Sequence, residues 1–147
     1  MKIAMLTNNY KPFIGGVPIS IERLAEGLRN LGHQVTVFAP EGAGCKEEPG
    51  VVRYRVLYEQ RDKGLVIGNF IDKRIEKEFR DGQFDVIHVH HPVVIGFTAV
   101  YLSKKYGIPL AYTYHTRYEE YLHYFKLYER MTAGREPVRN AARFSRE

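Results

Sequence analysis

KIAMLTNNYKPFIGGVPISIERLAEGLRNLGHQVTVFA, residues 2–39, is the stretch on which the fold turns. Lys2 to Thr7 contains a short apolar run, Ile3 to Leu6, and reads as a buried strand. The turn-rich segment Asn8 to Gly16 separates it from Ile21, Leu24, Ala25, Leu28 and Leu31, whose spacing places them on one face of a helix. Gly32 follows the last of these, where a helix commonly needs a left-handed residue to end, and Gln34 to Ala39 reads as a second strand. Strand, helix and strand in this order form a β-α-β unit. Its helical crossover makes the two strands parallel, in a sheet covered on both faces.

The same alternation continues outward. After a loop from Pro40 to Gly50, in which Glu47 and Glu48 read as solvated, a strand is expected from Val51 to Tyr58. A helix from Asn69 to Arg80, with Ile71, Ile75 and Phe79 on one face, precedes a strand from Phe84 to His90. A helix from Val94 to Tyr106, stopped by Gly107, precedes a strand near Pro109 to Tyr114. The pattern predicts one α/β domain over residues 1–147, a Rossmann-like, doubly wound parallel sheet with ligands at the carboxyl ends of its strands. Pro137 to Arg146 reads as a basic helix without a stop signal, so the chain is expected to be part of a longer parent.

Composition narrows the function classes. With 44% hydrophobic and 27% charged residues the chain is globular, neither disordered nor fibrous. A single cysteine, Cys45, cannot form an internal disulfide and points to a cytoplasmic setting. No apolar run approaches the roughly 18 residues of a spanning helix, and the N-terminal run is too short for a signal peptide, so the expected membrane relation is peripheral at most. A net charge of +5 suits nucleic acid, an anionic membrane surface or a phosphate-bearing substrate. No helix-turn-helix, ribonucleoprotein or zinc-knuckle pattern accompanies it, which sets nucleic acid aside.

Four groups of residues are candidates for chemistry. Gly15 and Gly16, just before a helix, read either as a tight turn or as a place where a phosphate approaches the backbone and the helix amides. They match neither the spaced dinucleotide fingerprint nor a P-loop. His88, His90 and His91 end a strand behind Asp85; lacking further ligands at metal-site spacing, they read as hydrogen-bonding groups for a polyhydroxyl ligand or as structural histidines, with no metal expected. His115 stands at the carboxyl edge of another strand, on the side expected to face the cleft. Tyrosines recur from Tyr112 to Tyr128, and Tyr118, Tyr121, Leu122 and Phe125 have helical spacing that suits a buried face, a sugar or a membrane interface. Separately, Lys73, Arg74, Lys77 and Arg80 flank Phe70, Ile71, Ile75 and Phe79. That segment reads either as a helix lying in headgroups or as a basic face over a core helix, with Asp72, Glu76 and Glu78 weighing against the first.

Met1-Lys2-Ile3 through Tyr10, Gly15-Gly16-Val17, Leu31-Gly32-His33 leading to Val35-Thr36-Val37, Phe84 to His90, and Thr113-Tyr114-His115-Thr116 occur in an order that resembles the acceptor-side domain of retaining glycosyltransferases with the GT-B fold. The run Tyr112 to Tyr124 is similar to bacterial glucosyltransferases that act on diacylglycerol at the cytoplasmic leaflet. The resemblance implies a nucleotide-sugar donor, UDP-glucose, and a membrane lipid or sugar acceptor. It also implies no tightly bound cofactor, and a C-terminal partner domain holding most of the nucleotide. It carries Gly15 and Gly16 to the donor diphosphate and His115 to the reacting sugar, with Tyr10, His90, Thr116 and Tyr118 along the acceptor cleft. The competing reading is a non-catalytic α/β module that binds a nucleotide or phosphate.

Overall fold

The computed structural model describes residues 1–60, 65–69 and 72–115. The chain divides into two compact units, Met1–Thr113 and Tyr114–Glu147, and the architecture below is that of the first. Strands β1 (Lys2–Leu6), β2 (Gln34–Pro40) and β3 (Val51–Tyr54) are followed by β4 (Val56–Gln60), β5 (Leu65–Gly68), β6 (Val86–Val89) and β7 (Leu110–Tyr112). Helices α1 (Gly16–Asn30), α2 (Lys73–Gly82) and α3 (Ile95–Tyr106) lie between them in sequence. Five strands form one sheet in the order β3-β2-β1-β6-β7, all parallel, which is the expected Rossmann-like arrangement. The apolar run of β1 is buried from Ile3 to Leu6 because it is central, paired with β2 on one side and β6 on the other.

Alternation along the strands divides the core. Ile3, Met5, Val35, Val37 and Ala39 face Ile21 and Ala25 of α1 and the ring of Tyr10. On the other side Phe38 meets Phe79 of α2 with ring centroids 5.0 Å apart, and Phe84 and Tyr106 stack around Phe79. Helix α1 ends as its sequence suggests, with Gly32 at φ 85. At the amino edge, the Asp85 carboxylate accepts the Lys2 backbone N–H at 2.6 Å and pins β6 beside β1.

The segment Val51–Tyr58 is not one strand. Its ladder breaks at Arg55, whose backbone N–H donates to the Asp72 carboxylate at 2.7 Å and not to a neighbouring strand. Beyond the break β4 leaves the main sheet and pairs antiparallel with β5, a hairpin that the apolar pattern did not announce. Gly68 permits the fold here: a Cβ at that position would lie 2.2 Å from the fully buried Tyr54 ring. The same Asp72 caps α2 by accepting the Arg74 amide at 2.9 Å, so the helix starts at Lys73 and not at Asn69.

Candidate active site

Parallel strands bring their carboxyl ends to one edge. From β1 the chain passes to β2 on one side, and from β6 to β7 on the other, so the loops after β1 and β6 flank the topological switch point. Both loops are held by side chains that cross it. The Asn8 backbone N–H donates to His91 Nδ1 at 3.2 Å, the Thr7 hydroxyl lies 3.3 Å from the same nitrogen, and Asn8 Nδ2 donates to the Val93 carbonyl at 3.0 Å. A backbone amide can only donate, so His91 Nδ1 bears a lone pair and the neutral ring carries its proton on Nε2. From below, the buried Tyr54 hydroxyl donates to the Thr7 carbonyl at 2.7 Å, and burial raises the pKa of that phenol.

The glycine pair divides its work. Gly15 is extended, at φ −172, and a Cβ there would stand 2.9 Å from the Phe13 ring, so its bareness serves packing within the chain. Among the described residues, nothing lies within 4 Å of the corresponding position at Gly16. Helix α1 has no side-chain cap and no acid in its first turn, and Pro18 has no N–H. Ile19 N–H already reaches the Gly15 carbonyl, which leaves the amides of Gly16 and Val17 at the positive end of the helix dipole.

The other anticipated residues take varied positions. Tyr10 is buried in the α1-side core, with the Arg53 guanidinium 5.5 Å and the Lys11 ammonium 5.7 Å from its ring centroid; burial raises its pKa, partly opposed by Lys11. His90 is only 1% exposed, its ring 4.2 Å from that of His88, and His88 Nε2 lies 2.7 Å from the Thr113 hydroxyl. His115 belongs to the second unit, and partial burial lowers its pKa. Thr116 and Tyr118 lie outside the described residues. Among the described residues no group of three His, Cys, Asp or Glu is arranged to hold a metal ion, and no helix is long and apolar enough to cross a membrane.

Lys73, Lys77 and Arg80 are exposed on α2, whereas Arg74 is engaged by Asp72 at 2.8 Å and Glu41 at 3.2 Å. Ile75 and Phe79 are buried in the core, and Phe70 and Ile71 lie outside the described residues. The apolar face seen in the sequence is therefore used inside the protein at both of its described positions.

The profile of the Glycosyltransferase Family 4 domain matches residues 14–146. The chain belongs to this family. It is 37% identical over 128 residues to an alpha-monoglucosyldiacylglycerol synthase of Acholeplasma laidlawii, covering 84% of this chain and 32% of that protein. To the alpha-monoglucosyldiacylglycerol synthase of Streptococcus pneumoniae it is 30% identical, covering 84% of this chain and 29% of the relative. A phosphatidyl-myo-inositol mannosyltransferase of Mycolicibacterium smegmatis is 31% identical, covering 79% of this chain and 31% of its own length. The chain thus spans about a third of the length of the curated relatives it matches.

In this family 4 chain, sequence reading missed Thr7, Asn8, Tyr54 and the role of His91. Asn8 was visible only as a turn residue, and His91 was read among the strand-end histidines as ligand-binding or structural without its partner; no spacing rule joins positions this far apart in sequence. Val94 was missed for the opposite reason. It precedes α3 at φ 64 and ψ −87, a conformation that costs a β-branched residue about 1–3 kcal/mol, and propensity argues against it.

Proposed function

We propose that this chain is the acceptor-side domain of an enzyme that transfers glucose from UDP-glucose to a membrane lipid such as diacylglycerol, with retention of anomeric configuration. The observation that carries the reading is the family match across residues 14–146, and the two alpha-monoglucosyldiacylglycerol synthases among its relatives support glucose and a diacylglycerol acceptor. In the reaction an acceptor hydroxyl oxygen bonds to the anomeric carbon as the bond from that carbon to the UDP phosphate breaks. The acceptor proton goes to the departing diphosphate or to solvent. Negative charge grows on the diphosphate, so oriented donors there lower the barrier.

Gly16 and Val17 suit that task through their amides and the open space over Gly16. We assign Gly15 to the support of that loop, His115 to the sugar beside the reacting carbon, and Tyr10, His90, Thr116 and Tyr118 to the acceptor cleft or its walls. Lys73, Lys77 and Arg80, with Arg74 behind its acids, form the cationic side that meets an anionic membrane surface at the inner face of the cell. A C-terminal partner domain holds most of the nucleotide, in keeping with the share of its relatives that this chain covers.

Transfer of labelled glucose into diacylglycerol-bearing vesicles tests the whole reading. The parent enzyme is expected to form an α-linked glucolipid and the pure 147-residue chain none. A β-linked product removes retention, and turnover by the lone chain removes the division of labour. In co-sedimentation, binding to anionic vesicles should exceed binding to neutral ones and fall with salt. A chain that stays in the supernatant with both removes the membrane contact from this half.

A further inference from the structure

A cavity of about 1010 Å³ opens beside the β2–β3 loop, strand β3 and the start of α2. That volume is at the upper end of the range of small-molecule sites. Its charged lining is Glu41, Glu47 and Glu48 against Lys46, Arg53 and Arg74, three anions and three cations, so the wall presents no net charge to an ion. None of these residues belongs to the glycine loop or to the loop after β6.

The ionic partners are unequally engaged. Arg74 is committed to Asp72 and Glu41. Arg53 is not: Nη1 donates to the Pro40 carbonyl at 3.2 Å, Nη2 stops 3.8 Å from Glu48 Oε2, and Nε has no partner among the described residues. A separation of 3.8 Å is beyond hydrogen-bond reach. Glu48 engages Lys11 through its other oxygen, Oε1, at 2.8 Å, so Oε2 keeps its lone pairs. The Arg53 side chain is 15% exposed, which makes unmet donors costly.

A group that completes this wall must accept from Arg53 and donate to Glu48, and a hydroxyl does both. A phosphate is anionic and meets three carboxylates, which oppose it even where a P–OH could donate. An ammonium has donors alone and meets three cations. An apolar group would leave Arg53 Nη2 and Glu48 Oε2 unmet. We propose that the cavity binds a neutral polyhydroxyl group the size of a hexose or a cyclitol, either as a free molecule or as the head of a glycosylated lipid.

The test uses the 147-residue chain without any nucleotide sugar, so polyol binding stands or falls apart from sugar transfer. Methyl glucoside and myo-inositol, titrated into 15N-labelled protein, should give saturable shifts at the amides of residues 41–54, with dissociation constants of about millimolar. Inorganic phosphate at the same concentration and ionic strength should give none there. Arg53→Gln should weaken polyol binding roughly tenfold or more, as expected for a hydrogen bond to a charged group. Glu48→Gln, which leaves Lys11 on Glu22, should weaken it in the same direction in a chain whose thermal transition is retained. Neutral phospholipid vesicles with and without a glycosylated lipid separate the two sources: retention by the former alone assigns the lipid head, and shifts from the soluble polyols alone assign the free molecule. Shifts from phosphate and not from polyols, or no saturable shift from any polyol, soluble or lipid-borne, would overturn the proposal and leave the cavity to solvent.

Discussion

Helix α2 begins on its own anion, whereas α1 begins on none. At α2 the Asp72 carboxylate receives the amides of Arg74 and Arg55 and the guanidinium of Arg74, and although burial opposes it, these partners hold its pKa at about 2. At α1 the cap position is Gly15, the first turn carries no acid, and among the described residues nothing lies within 4 Å of where a Gly16 Cβ would stand. Both helices have the same electrostatic need at this end. One meets it within the fold and is finished; the other has no such cap, and in the proposed reading the donor diphosphate supplies the anion there, beside the topological switch point.

Filling the open end should have the largest effect. In the parent enzyme Gly16→Val is expected to lower transfer by roughly tenfold or more, about 1.4 kcal/mol of barrier. The melting temperature should barely move, because a Cβ at Gly16 meets no atom within 4 Å among the described residues. Unchanged kcat/KM in that variant would mean that the open start of α1 is not part of the donor site.

Removing the built-in anion should cost stability instead. Asp72→Ala is expected to lose about 1–2 kcal/mol, the usual range for an N-cap. Because the native pKa of Asp72 lies below its ordinary 3.8, its contribution is full above that value and declines as pH falls toward 2. Denaturant titrations from pH 6 to pH 2 should therefore show a gap between wild type and variant that narrows on acidification. A gap constant with pH would assign the loss to packing.

Where the two helix starts differ was partly legible in the sequence. The parallel sheet, α1 and α3 follow from apolar spacing and from Gly32 and Gly107, which are local signals. The glycine pair was also visible, but not which glycine serves packing and which faces open space, since that depends on where the Phe13 ring settles. The break at Arg55 and the start of α2 escaped for one reason: both are set by Asp72, whose reach to a residue 17 positions earlier is a tertiary fact. His91 and Asn8 likewise meet only because β6 lies beside β1.

The smallest expected effect on stability comes from the most direct exchange between the two helices. Gly16→Asp gives α1 an internal anion and should raise stability by about 0.3–1 kcal/mol at low salt. The same change should abolish donor binding by the parent enzyme, measured by calorimetry with UDP-glucose. Tight binding retained alongside the gain in stability would place the diphosphate elsewhere.

The link from Thr7 to His91 also has a kinetic meaning. It joins residues 84 apart, and β1, first in the chain, cannot acquire its second neighbour until β6 has been made. Closing so long a loop is entropically slow, and contacts of this separation slow folding in general. The crevice between the two loops is therefore a late product of folding. A nascent chain holding only the first β-α-β unit has the bare start of α1 but lacks the opposite wall of the proposed site.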